Sequence, residues 1–258
     1  MLLENRGAVV TGGGRGIGAA VARAMAEVGA RVVVSARSTD QIESVAESLR
    51  QLGHKAWAVT CDVTDPDQVQ TLVRESTELL GSVDILVNNA GIASSAPLKA
   101  ISLEDWERIM AVNVTGPFLC TQAFIPGMIE SGWGRVVNVA SVAGKIGQPY
   151  IAAYCASKHA LIGFTRAVAV EMAAKGVTVN AVCPGYVDTP MTDESVANMT
   201  SKTSLNEAAA REYLENLSPQ GRLMEPEEVA HLVVSLCAPL AKGITGQAVV
   251  LDGGSVQS

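Results

Sequence analysis

The chain is short of basic charge, of histidine and of paired cysteine, and each shortage removes a class of function. Lysine and arginine number 19 against 26 acidic residues, for a net charge of −7. A protein that neutralises a nucleic-acid backbone carries a basic stripe; none is visible, so no nucleic-acid partner is expected. The three histidines, His54, His159 and His231, are far apart. Nothing in the chain has zinc-ligand spacing, so no metal is expected. The five cysteines are scattered and form no C-x-x-C pair, which reads as buried reduced thiols in a cytoplasmic protein. Residues 1–6 are too short and too polar for a signal peptide. No uninterrupted apolar run approaches the roughly 20 residues of a membrane span, so no membrane partner is expected.

What the chain does have is hydrophobic material in a regular order. Of its 258 residues 48% are hydrophobic, with no internal repeat or break in composition, which fits one large α/β domain over residues 1–258. The run Gly7 to Thr11 reads as a strand, Gly12 to Gly18 as a glycine turn, and residues 19–28 as a helix. Residues 31–36 are apolar and β-branched, as a strand buried on both faces should be. The alternation continues with a helix over 39–52, a strand over 56–61 and a helix opened by Asp65-Pro66 and running to Leu80. Further strands are expected at 84–88, 134–140, 177–182 and 247–252. Between them lie a long helix over 103–128, bent near Gly116-Pro117, a helix carrying Tyr154, and a helix over 226–237. Strands alternating with helices predict a doubly wound parallel sheet covered on both faces.

One segment departs from this rhythm. Residues 189–222 hold no strand, only two weak helical patches at 193–199 and 206–216. A long insertion of this kind in a compact domain is usually functional or mobile, and here it predicts a helical lid over the substrate.

Open parallel sheets bind ligands beyond the carboxyl ends of their strands. The unusual residues fall there: Gly12 to Gly18, Arg37, Asp62, Asn88 to Gly91, Ser141 and Pro184 to Thr189. The glycine turn lets backbone approach a pyrophosphate, with a helix N-terminus supplying free N–H groups and partial positive charge. Ser35-Ala36-Arg37-Ser38, after the second strand, has no acid to hold a ribose 2′-hydroxyl. Arg37, with Arg15 in the glycine turn, suits a 2′-phosphate, which favours NADPH/NADP+ over NAD. Further along, Tyr154 and Lys158 stand four apart on one helical face. A nearby ammonium lowers a phenol's pKa, making Tyr154 a candidate acid/base with Ser141 as a hydrogen-bond donor to the same substrate oxygen.

Thr11-Gly12-x-x-x-Gly16-x-Gly18, Asn88-Asn89-Ala90-Gly91, Asn113, Ser141, Tyr154-x-x-x-Lys158 and Pro184-Gly185 with Thr189 together resemble the motif set of the short-chain dehydrogenase/reductase family. The resemblance runs from the first strand to Asp252-Gly253-Gly254 and implies a single Rossmann-type domain. It implies that Tyr154 exchanges a proton with the substrate oxygen while NADPH supplies hydride. Lys158 would tune Tyr154 and hold the nicotinamide ribose, Ser141 would bind the reacting oxygen, and Asn113 would hold a relay water. Gly12, Gly14, Arg15, Gly16, Ile17, Gly18 and Arg37 would bind the phosphates. Asp62 and Val63 would meet the adenine, Asn89 and Gly91 its ribose, and Pro184, Gly185, Val187 and Thr189 the nicotinamide side. Asn88 is expected to be structural. Within the family the chain looks most like β-ketoacyl-(acyl-carrier-protein) reductases and polyketide or hydroxyacyl-CoA ketoreductases. That implies a small carbonyl or acyl-thioester substrate, an acyl carrier protein as a candidate partner, and a homotetramer. The alternatives are oxidation of a hydroxyacyl-CoA, cyclic alcohol or steroid, and a non-catalytic NADP-sensing protein on the same fold.

Overall fold

Strands that are apolar at nearly every position must be covered on both faces. A computed structural model describes residues 1–257 and contains seven strands. They are β1 (Gly7–Thr11), β2 (Arg31–Ala36), β3 (Ala56–Thr60), β4 (Ile85–Asn88), β5 (Gly134–Val139), β6 (Val177–Pro184) and β7 (Ala248–Leu251). The sheet runs β3-β2-β1-β4-β5-β6-β7 and every neighbouring pair is parallel. Each strand expected from the sequence is present, with its ends shifted by at most two residues.

Successive side chains of a strand point to opposite faces, which divides the core in two. Val10, Val34 and Val87 face one layer. They pack with α1 (Gly16–Glu27), α2 (Thr39–Gln51) and α9 (Pro226–Cys237) through Met25, Ile42 and Val233. Their neighbours Val9, Val33 and Leu86 face the other layer. There the partners are α3 (Pro66–Leu80), α5 (Gly116–Glu130) and α6 (Ala152–Met172), through Leu72, Phe124 and Met172. Each such fully buried side chain contributes about 1.5–3 kcal/mol. A buried polar ladder ties the second layer to the sheet: the Asn88 amide donates to Asn138 Oδ1 and Thr121 Oγ1, and the Asn138 amide donates to Thr165 Oγ1 on α6. Asn88 is thus structural, as expected.

Two sequence expectations gain detail from the structure. The long helix changes its hydrogen-bonding pattern just before Gly116-Pro117, where a bend is expected. It is made of α4 (Leu103–Met110), a π turn (Ala111–Thr115) and α5, without a break. Pro117 has no N–H to give the preceding turn, and the wider i→i+5 pattern just upstream accommodates that loss. By length and composition the whole stretch Leu103–Glu130, mean hydropathy 1.3 at its most apolar, could cross a membrane, although charges break its first turns. Its apolar side packs on α3 and β5 as a core helix does.

The 189–222 segment is more helical than expected, with α7 (Pro190–Lys202) and α8 (Glu207–Glu215). Both pack on a small cluster of their own, Val196, Ala210, Leu214 and Leu223. Arg211 joins them, pairing with Asp188 at 2.6 Å and Asp193 at 3.2 Å.

Asp84 pins the amino ends of β1 and β4. It is 5% exposed and accepts from Gly7 N at 2.8 Å and from Arg6 Nη1 at 3.0 Å. Asp84→Ala strands these donors, and urea unfolding is expected to show a loss of about 2–4 kcal/mol. Turnover per folded molecule should be unchanged, because Asp84 lies at the opposite end of the strands from the carboxyl-end crevice.

Candidate active site

The strand order reverses between β1 and β4, so the helices that follow these strands diverge and a crevice opens at their carboxyl ends. Gly12, Gly14, Arg15, Gly16, Ile17, Arg37, Asp62, Val63, Asn89, Gly91 and Thr189 line it, as expected. Gly12 takes φ 63°, and a Cβ there would sit 2.8 Å from Ala90 Cα. The Asn89 amide donates to the carbonyls of Thr11 and Gly12 at 3.0 Å each, fixing the glycine turn against the end of β4. Gly18 does not line the crevice. A Cβ on it would meet Gly12 O at 2.3 Å, so this glycine lets α1 pack against the turn.

The donor set fits a dinucleotide. Helix α1 has Arg15 at its N-cap, no side-chain cap and no acid in its first turn, leaving the dipole's positive end open to the crevice. No acid follows β2, where the crevice wall is Ala36, Arg37 and Ser38. Arg37 and Arg15 both stand at this end, mostly exposed. Arg37 is 3.8 Å from Asp62 and Arg15 is 3.3 Å from Glu194 of α7. Asp62 also accepts from the Thr64 amide and hydroxyl, which fixes the loop after β3.

A second pocket adjoins the first and carries Ser141, Tyr154, Lys158, Pro184, Gly185, Val187 and Thr189. Ser141 follows β5 and Tyr154 lies in the first turn of α6, and both side chains line this pocket; Ser141 Oγ accepts from Ala143 N at 3.1 Å. Lys158 is 4% exposed, with Nζ donating to Val139 O at 2.8 Å and lying 5.5 Å from the Tyr154 ring centroid. Asn113 is buried in the π turn and lines neither pocket. Its amide accepts from Ile92 N and donates to Ile92 O and Ser157 Oγ. Ser157 in turn donates to Tyr154 O, so Asn113 ties the loop after β4 to the start of α6.

The electrostatics reverse one expectation. Burial pushes the Tyr154 phenol up to about 12, although the Ser141 hydroxyl opposes the shift. Burial also pushes Lys158 down to about 8. The ammonium's near contact is Val139 O rather than the phenolic oxygen, so loss of water around Tyr154 outweighs it. The phenol is therefore fully protonated at neutral pH, in the form a proton donor needs.

A family model described as short chain dehydrogenase matches residues 6–200. The chain belongs to the short-chain dehydrogenase family. It is 39% identical to the 3-oxoacyl-(acyl-carrier-protein) reductase of Aquifex aeolicus, over 98% of both chains. It is 41% identical to the cis-4-hydroxycyclohexanecarboxylate dehydrogenase of Sinomonas cyclohexanicum, over 96% of both. A crystal structure of an actinorhodin polyketide ketoreductase variant with NADPH superposes with a TM-score of 0.93, at 39% identity over 96% of each chain.

Sequence reasoning missed much of the second pocket's wall, including Gln148, Ile151, Tyr186, Met191 and Ser195. These residues carry no periodic or motif signal; Ile151 and Tyr186 merely adjoin motif residues. Thr11, the first residue of the glycine motif, has no expected role of its own; its hydroxyl accepts from both Asn89 N and Ala90 N.

Lys158 gives a pH signature that can be read without turnover. Its proton is held less tightly folded, about 8, than at the reference value of 10.5, so between these values the unfolded chain binds more protons. Its contribution to stability therefore rises with pH across that window. Above pH 9 the buried cysteines, whose thiols are pushed up by burial, lower the stability of both proteins. From pH 8 to 10.5 the urea midpoint of the protein should therefore rise relative to that of Lys158→Met, and a constant difference would count against the shift.

Proposed function

We propose that this protein is a cytoplasmic NADPH-dependent ketoreductase that converts a ketone, a β-ketoacyl thioester or polyketide, to a secondary alcohol. The observation that carries the reading is the convergence of Ser141, Tyr154 and Lys158 on one pocket wall, where a substrate pocket joins a dinucleotide crevice. The 3-oxoacyl reductase relative and the NADPH-bound structural neighbour support it. The five cysteines, all buried and free, suit a reducing compartment.

Arg15 and Arg37 bind the 2′-phosphate, exchanging their present carboxylate partners for it, and the open end of α1 binds the pyrophosphate. The bound nicotinamide supplies hydride to the carbonyl carbon. Ser141 donates to the carbonyl oxygen and orients it, and Tyr154 gives that oxygen its proton. Lys158 holds the nicotinamide ribose and favours the phenolate left behind. The relay role expected of Asn113 cannot be played by donation from its side chain, because both amide hydrogens are engaged, by Ile92 O and Ser157 Oγ. Helices α7 and α8, residues 189–222, cover the substrate as a lid.

The test is NADPH consumption with an acetoacetyl thioester. Tyr154→Phe is expected to lose activity by about 10²–10⁴-fold while still binding NADPH. Activity that survives in the variant would remove Tyr154 from the chemistry. NADH should serve poorly, and Arg37→Ala with Arg15→Ala should narrow the difference.

Association into a tetramer is supported by exposed apolar side chains on the outer helices. Phe118 of α5 stacks edge-on against Phe164 of α6 at 6.2 Å yet stays 41% exposed, and Val170 of α6 is 81% exposed. A second exposed patch, Leu240 with Ile244, precedes β7. Light scattering should give the mass of four 26.8 kDa chains, and a monomer would count against it.

A further inference from the structure

We infer that the substrate pocket selects uncharged ketones and rejects substrates bearing a free carboxylate; this rests on the ketone-reducing reading above and narrows its substrate class. Among the described residues that wall the pocket, Lys158 is the single charged side chain. Its ammonium is buried at the reacting end and donates to Val139 O. Away from that end the wall is apolar, with Ala93, Val142, Ile151 and Met191, or neutral and polar, with Gln148 and Ser195.

The cations around the rim are engaged elsewhere. Lys202 donates to Ser95 O, Arg211 pairs with Asp188 and Asp193, and Arg15 pairs with Glu194. Lys145 lies outside the wall. The start of α7, which closes one side of the pocket, carries Asp188, Asp193 and Glu194 within seven residues, and the whole chain is at −7. The amino ends of α6 and α7 add only partial positive charge, and at α7 Asp193 offsets it.

A carboxylate entering such a pocket gives up its water and finds no ion pair, a cost that neutral hydrogen bonds do not recover. An ester, thioester or amide carbonyl asks much less, since one donor from Gln148 satisfies it. The acid function of a keto acid must then be masked before reduction, or be absent, as in a cyclic ketone. The Sinomonas relative, named for a carboxylate-bearing alcohol, shows that 41% identity does not settle this choice.

The experiment uses matched pairs on the protein in the presence of NADPH. Calorimetric binding of cyclohexanecarboxamide against cyclohexanecarboxylate needs no turnover. The amide should bind at least about tenfold more tightly. In the assay, ethyl acetoacetate should exceed acetoacetate in kcat/KM by about a hundredfold or more. Equal binding, tighter binding of the acid, or no binding of either compound overturns the inference. If the amide is preferred but ethyl acetoacetate is not reduced, charge selection stands and the ketone-reducing reading is what fails.

Discussion

Burial on both faces of a parallel sheet is the constraint on which this structure depends. Strands such as Val32 to Val34 and Ile85 to Val87 are fully buried, so a helix must cross each face between consecutive strands. Every helix that follows a strand then starts at the carboxyl edge of the sheet. Where the strand order reverses between β1 and β4, those starts separate, and the crevice is what remains between them. The site is a consequence of covering the sheet rather than a feature added to it.

The chemistry follows from the same packing. Tyr154 and Lys158 are on α6, which the Asn88–Asn138–Thr165 ladder holds against β5. Being buried there shifts the two groups in opposite directions, the phenol toward its neutral form and the ammonium toward neutrality as well. Two neutral-leaning groups side by side form a poor ion pair. At neutral pH the phenol keeps its proton and the Lys158 ammonium is the one charge at the reacting end, with a neutral wall around the rest of the pocket.

Much of this was legible in the sequence, for physical reasons that can be named. Strand and helix positions follow from local periodicity and from turn residues, so the strands emerged within two residues and the helices within three. Tyr154 and Lys158 share a face because of helix geometry alone, and Gly12 marks a turn that a side chain would not fit. Other features depend on contacts between distant segments. The direction of the Tyr154 shift needed knowledge of what surrounds the phenol, and Lys158's contact with Val139 joins residues 19 apart. The π turn at 111–115 answers to Pro117 and to packing at once, and Gly18 turned out to serve helix packing rather than the crevice. Gln148 and Ser195 became visible only when the chain had closed around them.

The helix starts divide into two kinds. Those away from the crevice are finished by side chains: Asp65 caps α3, Ser102 caps α4, Asn206 caps α8, and Glu225 with Glu228 forms a capping box on α9. Those that open on it, α1, α2, α6 and α7, have no side-chain cap. A missing cap is typically worth about 1 kcal/mol. The fold thus leaves part of its own stabilisation to be supplied from outside, and anything that hydrogen-bonds to those helix ends does the work of a cap. Binding and folding draw on the same unpaired N–H groups, which makes a ligand here the last structural element of the domain as much as its cargo.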